Sequence, residues 1–310
     1  MVVRMNETTN AIRATIRTID IDLHRDWIAY CKKELVAGGW NIPASLSDKA
    51  TPSVYLNAVR RLVPARPRAI LRSANFSNPS APDDQAGLAE IERTILAGED
   101  LRTHLSRQLF EADFNDALLN DWDIQHLHLS AVLGNSKRFV KSTGPLLFAR
   151  FDEGTAYFID VMRHGDWSRQ SIVQILHDNW PDSIAPFRAK NASAVRQPYS
   201  DEEISVLRKE GISAMVQLSD GALYLPLGGG YAMSGVSSIV AIQANHIARR
   251  LGDLSKYVID NIDEVAKRAL EHNLEIPNNA EFVLSIPHFE NGNVCVVEVN
   301  SGVAFGLGPL

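Results

Sequence analysis

Two short apolar runs separated by a three-residue turn constrain the fold of this chain most. The runs PLLFARF (145–151) and TAYFIDVM (155–162) contain many β-branched and aromatic residues, and Asp152-Glu153-Gly154 separates them. A gap of this length that contains glycine is typical of a β-hairpin. The run DIQHLHLSAV (123–132) precedes the pair. We therefore predict a small antiparallel sheet of about three strands.

Segments with helical periodicity lie on both sides of these runs. Leu88, Ile91 and Ile95 recur at helical spacing over 85–96, and an apolar stripe follows in SIVQIL (171–176). Farther along the chain, Ser200 and Glu203 form a capping-box pattern at the start of a helix predicted over 201–211. An antiparallel sheet with helices outside it predicts the α+β fold class, here a small sheet flanked by helices.

The chain of 310 residues is longer than one typical domain. Stretches rich in Ser, Asn and Pro at 73–84 and 183–198 predict linkers. We therefore expect a mostly helical segment over 1–75, a central α+β domain over 85–182, and a second, C-terminal α+β domain over 199–310. The last of these contains a glycine-rich loop and two predicted hairpins. The first hairpin pairs AMVQL with ALYLPL, and the second pairs FVLSIPHF with NVCVVEV across a turn at Asn291-Gly292.

The bulk properties exclude several classes of protein. A formal net charge of −6 argues against a surface built to coat nucleic acid, although a local basic cleft remains compatible with it. The two cysteines, Cys31 and Cys295, are far apart, as is usual in a reducing compartment. The start of the sequence lacks the apolar core of a secretory signal, and no run approaches about 18 apolar residues. We expect a cytoplasmic chain without a membrane partner.

The strongest candidate site lies in the segment DWDIQHLHLS. Side chains two residues apart on a strand share a face, so His126 and His128 should lie side by side. Imidazoles near neutral pH can both accept and donate protons on a phosphodiester. The nearby Arg150, Arg163 and His164 could stabilise the charge on a phosphate. This reading predicts catalytic residues and requires no metal ion or cofactor.

Two other readings of the histidine pair remain open. The pair could bind a metal ion with a third ligand, for which Asp123, Asp160 and His164 are the nearby candidates. The two imidazoles could also be structural and bridge backbone groups where two domains meet.

A second candidate site is the glycine-rich stretch GALYLPLGGGYAMSGVSS. Backbone N–H groups of Gly228, Gly229 and Gly230, with Ser234 at the start of a predicted helix, could bind an anion. The stretch matches neither a dinucleotide-binding fingerprint nor a phosphate-binding P-loop. The alternative is a tight connection without a ligand.

The segments NDWDIQHLHL, RHGDW and ILHDNWP resemble a group of uncharacterised bacterial proteins. The layout over 120–181, about a fifth of the chain, is similar to that of RelE and barnase-like ribonuclease toxins. Such toxins have helices beside a small antiparallel sheet that carries His, Arg, Lys or Tyr on one face. This chain departs from them by its long additional segments on both sides. The resemblance implies RNA as a partner and toxin-like ribonuclease chemistry.

The sequence thus favours a hydrolase, a metal-independent endoribonuclease that serves bacterial defence, including antiviral defence, or growth control. His126 and His128 would be the general base and the general acid. A non-catalytic binding or regulatory protein and a metal-dependent hydrolase are the two alternatives. The sequence does not indicate a protein partner.

Overall fold

The computed structural model describes residues 18–190 and 197–310. Its α-helices are α1 Leu23–Ala37, α2 Thr51–Arg60, α3 Pro82–Ala97, α4 Ala117–Trp122, α5 Ser171–Asn179, α6 Pro181–Ile184, α7 Asp201–Lys209, α8 Ser238–Asp260, α9 Ile262–Glu271 and α10 Ile286–Glu290. Its strands are β1 Thr18–Ile21, β2 Ala69–Arg72, β3 Gln125–His128, β4 Pro145–Phe151, β5 Thr155–Arg163, β6 Val216–Gln217, β7 Leu223–Tyr224, β8 Asn279–Leu284, β9 Asn293–Glu298 and β10 Ala304–Pro309. The predicted α+β class is confirmed.

The described residues form two compact units. The first contains the described residues up to Gly38 together with Ser45–Tyr55 and Ile242–Leu310. The second contains Gly39–Ala44 and Leu56–Ala241. The sequence-based division into 1–75, 85–182 and 199–310 therefore differs from the division in the structure, because both ends of the described chain contribute to one unit.

A four-stranded sheet in the order β1-β8-β9-β10 organises the first unit. Strand β1 is parallel to β8, with Thr18 opposite Asn279, so strands from distant parts of the chain pair directly. The side chain of Asp22 accepts a hydrogen bond from the Arg25 N–H and caps α1. The buried residues of α1 recur about every four positions, as expected of an amphipathic helix, and are Leu23, Trp27, Cys31 and Leu35.

The second unit is built on a four-stranded sheet in the order β2-β5-β4-β3. Strands β3, β4 and β5 pair antiparallel, as the apolar runs predict, and Phe151 lies opposite Ala156 at the hairpin. Strand β2 adds to β5 in the parallel direction. The sequence does not predict β2, because this strand has only four residues and is mostly exposed.

The two faces of this sheet belong to different cores. Leu127, Leu147 and Phe158 pack in one core with buried residues of α3. Ile124 and Phe148 pack in the other core, with residues of α5 and of the β6–β7 hairpin. The alternation of side chains along β3 and β4 therefore assigns the His126 and Phe148 positions to the face covered by α5.

Three sequence predictions about connections have clear outcomes. The 73–84 stretch is packed on the sheet and does not link domains: the Ser73 hydroxyl donates to the Ile159 carbonyl at 2.7 Å, and Asp84 is buried in α3. The other predicted linker, 183–198, includes residues 191–196, which lie outside the described residues. The capping box at Ser200 and Glu203 is confirmed, because each side chain accepts a hydrogen bond from the other residue's N–H.

Helix α10 replaces part of a predicted strand near the end of the chain. The run FVLSIPHF was expected to continue as a strand to the Asn291-Gly292 turn, but β8 ends at Leu284. Pro287 lies in the first turn of α10, where its missing N–H costs nothing. No helix among the described residues combines the length and the apolar character needed to cross a membrane.

Candidate functional site

The histidine pair lies on the α5-covered face of the central sheet. His126 is opposite Phe148 in the β3–β4 register, and the ring centroids of His126 and His128 are 6.4 Å apart. Leu127, between them, points into the opposite core. The predicted sharing of one face is confirmed, because the apolar neighbours on each side fix the register of this strand.

Trp167 brings a third histidine to the pair. The short 3-10 helix Asp166–Ser168 follows β5 and places the Trp167 ring 4.6 Å from His126 and 4.9 Å from His164, measured between ring centroids. The same ring stacks on Phe148 at 5.5 Å. Since Phe148 is fully buried, the sheet core supports the tryptophan, and the tryptophan contacts both imidazoles.

Asp116 lies beside the His126 ring. Its Oδ2 is 4.0 Å from Nδ1 of His126, and the two side chains are only 11% and 14% exposed. Its Oδ1 accepts the Leu119 N–H at 3.0 Å, so the same carboxylate caps α4. Nδ1 of His126 is buried and has no hydrogen-bond partner. The carboxylate is thus anchored by a helix and close to an imidazole nitrogen.

Burial keeps the two strand histidines neutral near pH 7. Burial lowers the pKa of His126; Asp116 opposes this shift, and His164 adds to it. Burial also lowers the pKa of His128 to about 4, and the neighbouring His126 and His164 contribute to the same shift. A neutral imidazole can accept a proton but has no extra proton to donate. The expected role of His128 as a general acid at neutral pH is therefore not favoured.

A cavity of about 330 Å³ lies beside these groups. Its walls come from the segment before α4, from β3, from the turn after β5 and from α7. The aromatic and titratable residues that line it are Phe114, Asp116, His126, His164, Trp167, Arg208 and Lys209. Its volume falls at the lower end of the range for small-ligand sites, about 300–1,000 Å³.

Arg208 in the cavity wall contacts residues of two other segments. Its Nε donates to Asp121 Oδ2 at 2.7 Å, and its Nη1 donates to the Trp167 carbonyl oxygen. Its guanidinium carbon lies 3.9 Å from the centroid of the Trp122 ring. The side chain is 5% exposed, and Nη2 has no hydrogen-bond partner. Burial raises the pKa of Asp121, and the Arg208 charge opposes that shift. This arginine therefore fixes the turn that carries Trp167.

Two arginines from the sequence-based site lie elsewhere. Nη2 of Arg150 is 3.4 Å from Asp123 Oδ2, and Nη1 donates to the Ser183 carbonyl at 3.1 Å. Arg150 does not line the cavity. Arg163 lines a separate, open groove of about 800 Å³, although its neighbour His164 faces the cavity. The structure thus groups His126, His128 and His164 and leaves both arginines outside the group.

The glycine-rich loop packs against the end of α4. The N–H groups of Gly228 and Gly230 donate to the Asp121 and Asn120 carbonyls, each at 2.9 Å, and the Gly229 N–H donates to Pro226. These bonds satisfy helix carbonyls that would otherwise lack a partner. No N–H of the three glycines is left for an anion. Ser234, the fourth residue of this expected site, is exposed in the turn that follows.

Two of the three candidate third metal ligands are engaged elsewhere, whereas His164 lies at the cavity. Asp123 pairs with Arg60 and Arg150, and Asp160 Oδ1 accepts the N–H groups of Ser77 and Val161. Within residues 18–190 and 197–310, no three His, Cys, Asp or Glu side chains are grouped to hold a metal ion. The metal-dependent reading therefore has no ligand set in this part of the chain.

No family model, curated protein or solved structure matches this chain. Sequence reasoning missed Asp116, Trp167 and Arg208. The first has a local signal, since Asp116 precedes an apolar run and could have been recognised as a helix cap. The other two come from segments whose approach to β3 depends on tertiary packing.

Proposed function

We propose that this chain is a metal-independent endoribonuclease whose active site is the cavity at His126 and His164. One observation carries the proposal: a largely buried imidazole and an exposed imidazole contact the same tryptophan ring and line the same cavity. Cleavage of RNA without a metal needs such a pair, since one group must accept a proton and another must donate one.

The proposed reaction uses the 2′-hydroxyl of RNA as the nucleophile. His126, neutral near pH 7, accepts the 2′-hydroxyl proton while the 2′-oxygen forms a bond to phosphorus. The bond between phosphorus and the 5′-oxygen breaks, and His164, as the general acid, donates a proton to the leaving oxygen. The products are a 2′,3′-cyclic phosphate and a 5′-hydroxyl. DNA lacks the nucleophile and should not be cleaved.

Cationic groups of α7 are suited to the phosphate. Lys209 is exposed at the end of the helix, and Arg208 lies in the cavity wall with one nitrogen unpaired. Positive charge beside the phosphate stabilises the charge that develops in the transition state. These residues replace Arg150 and Arg163 in the proposal, because neither arginine lines the cavity with His126.

The environment of the histidines gives no support to the purely structural reading. Buried histidines that only bridge backbone groups should have hydrogen-bonded ring nitrogens. Nδ1 of His126 and Nδ1 of His128 are both buried without a partner. Such unpaired polar atoms cost stability and are frequent at functional sites.

Incubation of the purified protein with a labelled single-stranded RNA tests the proposal. We expect cleavage in the presence of a chelator, with 2′,3′-cyclic phosphate ends. His126→Ala and His164→Ala should each lower the rate by roughly a hundredfold or more. His246→Ala is the matched control, because His246 is exposed on α8 and does not line the cavity. If the wild type leaves RNA intact, the proposal is wrong.

The rate should also depend on pH in a defined direction. The base must be neutral, so activity should rise with pH through the pKa of His126, which lies below the ordinary histidine value.

A role in bacterial defence or growth control belongs to the same proposal. Expression of the wild-type chain in a bacterium should then slow growth, and His126→Ala should relieve this effect. Equal growth with both proteins would argue against this role while leaving the cleavage chemistry open to the assay above.

A further inference from the structure

We infer that Asp116 is the positioning residue of the active site, because it holds the proton of neutral His126 on Nδ1 and leaves Nε2 to accept the substrate proton. This inference rests on the proposed function. It assigns a role to a residue that the sequence pattern did not single out.

The position of Asp116 is fixed independently of His126. Its Oδ1 accepts the Leu119 N–H at 3.0 Å and caps α4, so the carboxylate cannot turn away without losing the cap. Oδ2 remains for His126, 4.0 Å from Nδ1. Hydrogen bonds of catalytic groups are often long before substrate binds and shorten in the working complex.

The tautomer follows from what each group can donate. An ionised carboxylate only accepts hydrogen bonds, and a neutral imidazole carries one proton on one of its two nitrogens. A proton on Nδ1 faces the carboxylate favourably, whereas a bare Nδ1 would place a lone pair beside negative charge. The carboxylate also stabilises the imidazolium that forms once Nε2 has taken a proton.

The other charged groups near His126 cannot perform this task. The charged and titratable side chains that surround it, from every element packed against it, are Asp116, His128, His164, Arg61, Arg208 and Lys209. Asp116 is the single carboxylate among the described residues that line the cavity. The remaining groups are cations or imidazoles, which would not favour a proton on Nδ1.

Asp116→Asn is a sharp test, because asparagine caps helices about as well as aspartate. Its carbonyl oxygen can keep the bond to the Leu119 N–H, so its NH₂ group occupies the place of Oδ2. That group donates and therefore favours the wrong His126 tautomer, with the proton on Nε2. We expect kcat to fall roughly 10²- to 10⁴-fold without a change in melting temperature.

Asp116→Ser is the matched comparison. Serine also caps a helix, but its short side chain imposes no donor on Nδ1. We expect a smaller loss of kcat than in Asp116→Asn. Since Asp116 raises the pKa of His126, the acidic limb of the pH–rate profile should move to lower pH in both variants. A role for Asp116 in the helix cap alone would leave that limb in place.

Nitrogen-15 NMR of the His126 ring reads the tautomer directly and needs no RNA. We expect Nδ1–H in the wild type and Nε2–H in Asp116→Asn. Cleavage at the wild-type rate by Asp116→Asn, or an unchanged tautomer, would overturn the inference while leaving the proposed nuclease in place. A wild type that cleaves no RNA would overturn the proposed function itself.

Discussion

Mild acid should destabilise this protein through His128. Burial lowers its pKa to about 4 in the folded chain, against an ordinary value of 6.5. Between these two values the unfolded chain binds a proton that the folded chain does not bind. The free energy of unfolding therefore keeps the full contribution of neutral, buried His128 above pH 6.5. It decreases as the pH falls from 6.5 towards 4, because protonation favours the unfolded chain. Each pH unit in that window corresponds to about 1.4 kcal/mol, so lowering the pH to 5 should cost about 2 kcal/mol.

Urea unfolding of the wild type and of His128→Gln at pH 7 and pH 5 isolates this contribution. His126 shifts in the same direction, so both proteins should lose stability in acid. The wild type should lose about 2 kcal/mol more than His128→Gln, because glutamine does not titrate. His246→Gln, at an exposed position on α8, should behave like the wild type.

Equal losses of stability in the wild type and in His128→Gln would refute this reasoning. Such a result would mean that His128 has the same pKa in the folded and unfolded chains. The low pKa, and with it the argument that His128 cannot act as the acid, would then be wrong.

Three further outcomes follow from the structure. Arg208→Met should destabilise the second unit by about 3–5 kcal/mol in chemical unfolding, because it leaves the carboxylate of Asp121 buried without its ion pair. Gly228→Ala should lower the melting temperature, since a Cβ would lie 2.2 Å from the Leu119 carbonyl oxygen, whereas Gly154→Ala has no atom within 4 Å to meet and should change it little. The small cavity should admit one unpaired nucleotide, so cleavage of a single-stranded RNA should be faster than cleavage of the same sequence in a duplex.

Local sequence patterns were sufficient to predict the three antiparallel strands of the central sheet and the shared face of His126 and His128. The hairpin turn, the alternation around Leu127 and the capping box at Ser200 depend on residues close in sequence, and all three are confirmed. The α+β class follows from these same elements. His126 and His128 share a face for the same local reason.

The remainder of the site depends on contacts between distant residues. Trp167 contacts His126 only once the turn after β5 has packed against the sheet. Arg208 contacts Trp167 only once helix α7 has packed beside that turn. Arg150 looked available as a phosphate ligand because sequence alone does not reveal that Asp123 pairs with it. The parallel pairing of β1 with β8 has no local signal, since about 260 residues separate the two strands.

The pairing of β1 with β8 also sets an order for folding during synthesis. A ribosome adds residues from the amino end, so β1 emerges long before Asn279–Leu284 exists. The second unit ends at Ala241 and has all its strands by that point. The second unit can therefore fold before strands β8, β9 and β10 of the first unit have been synthesised. In the nascent chain, the proposed active site should therefore form before β1 pairs with β8.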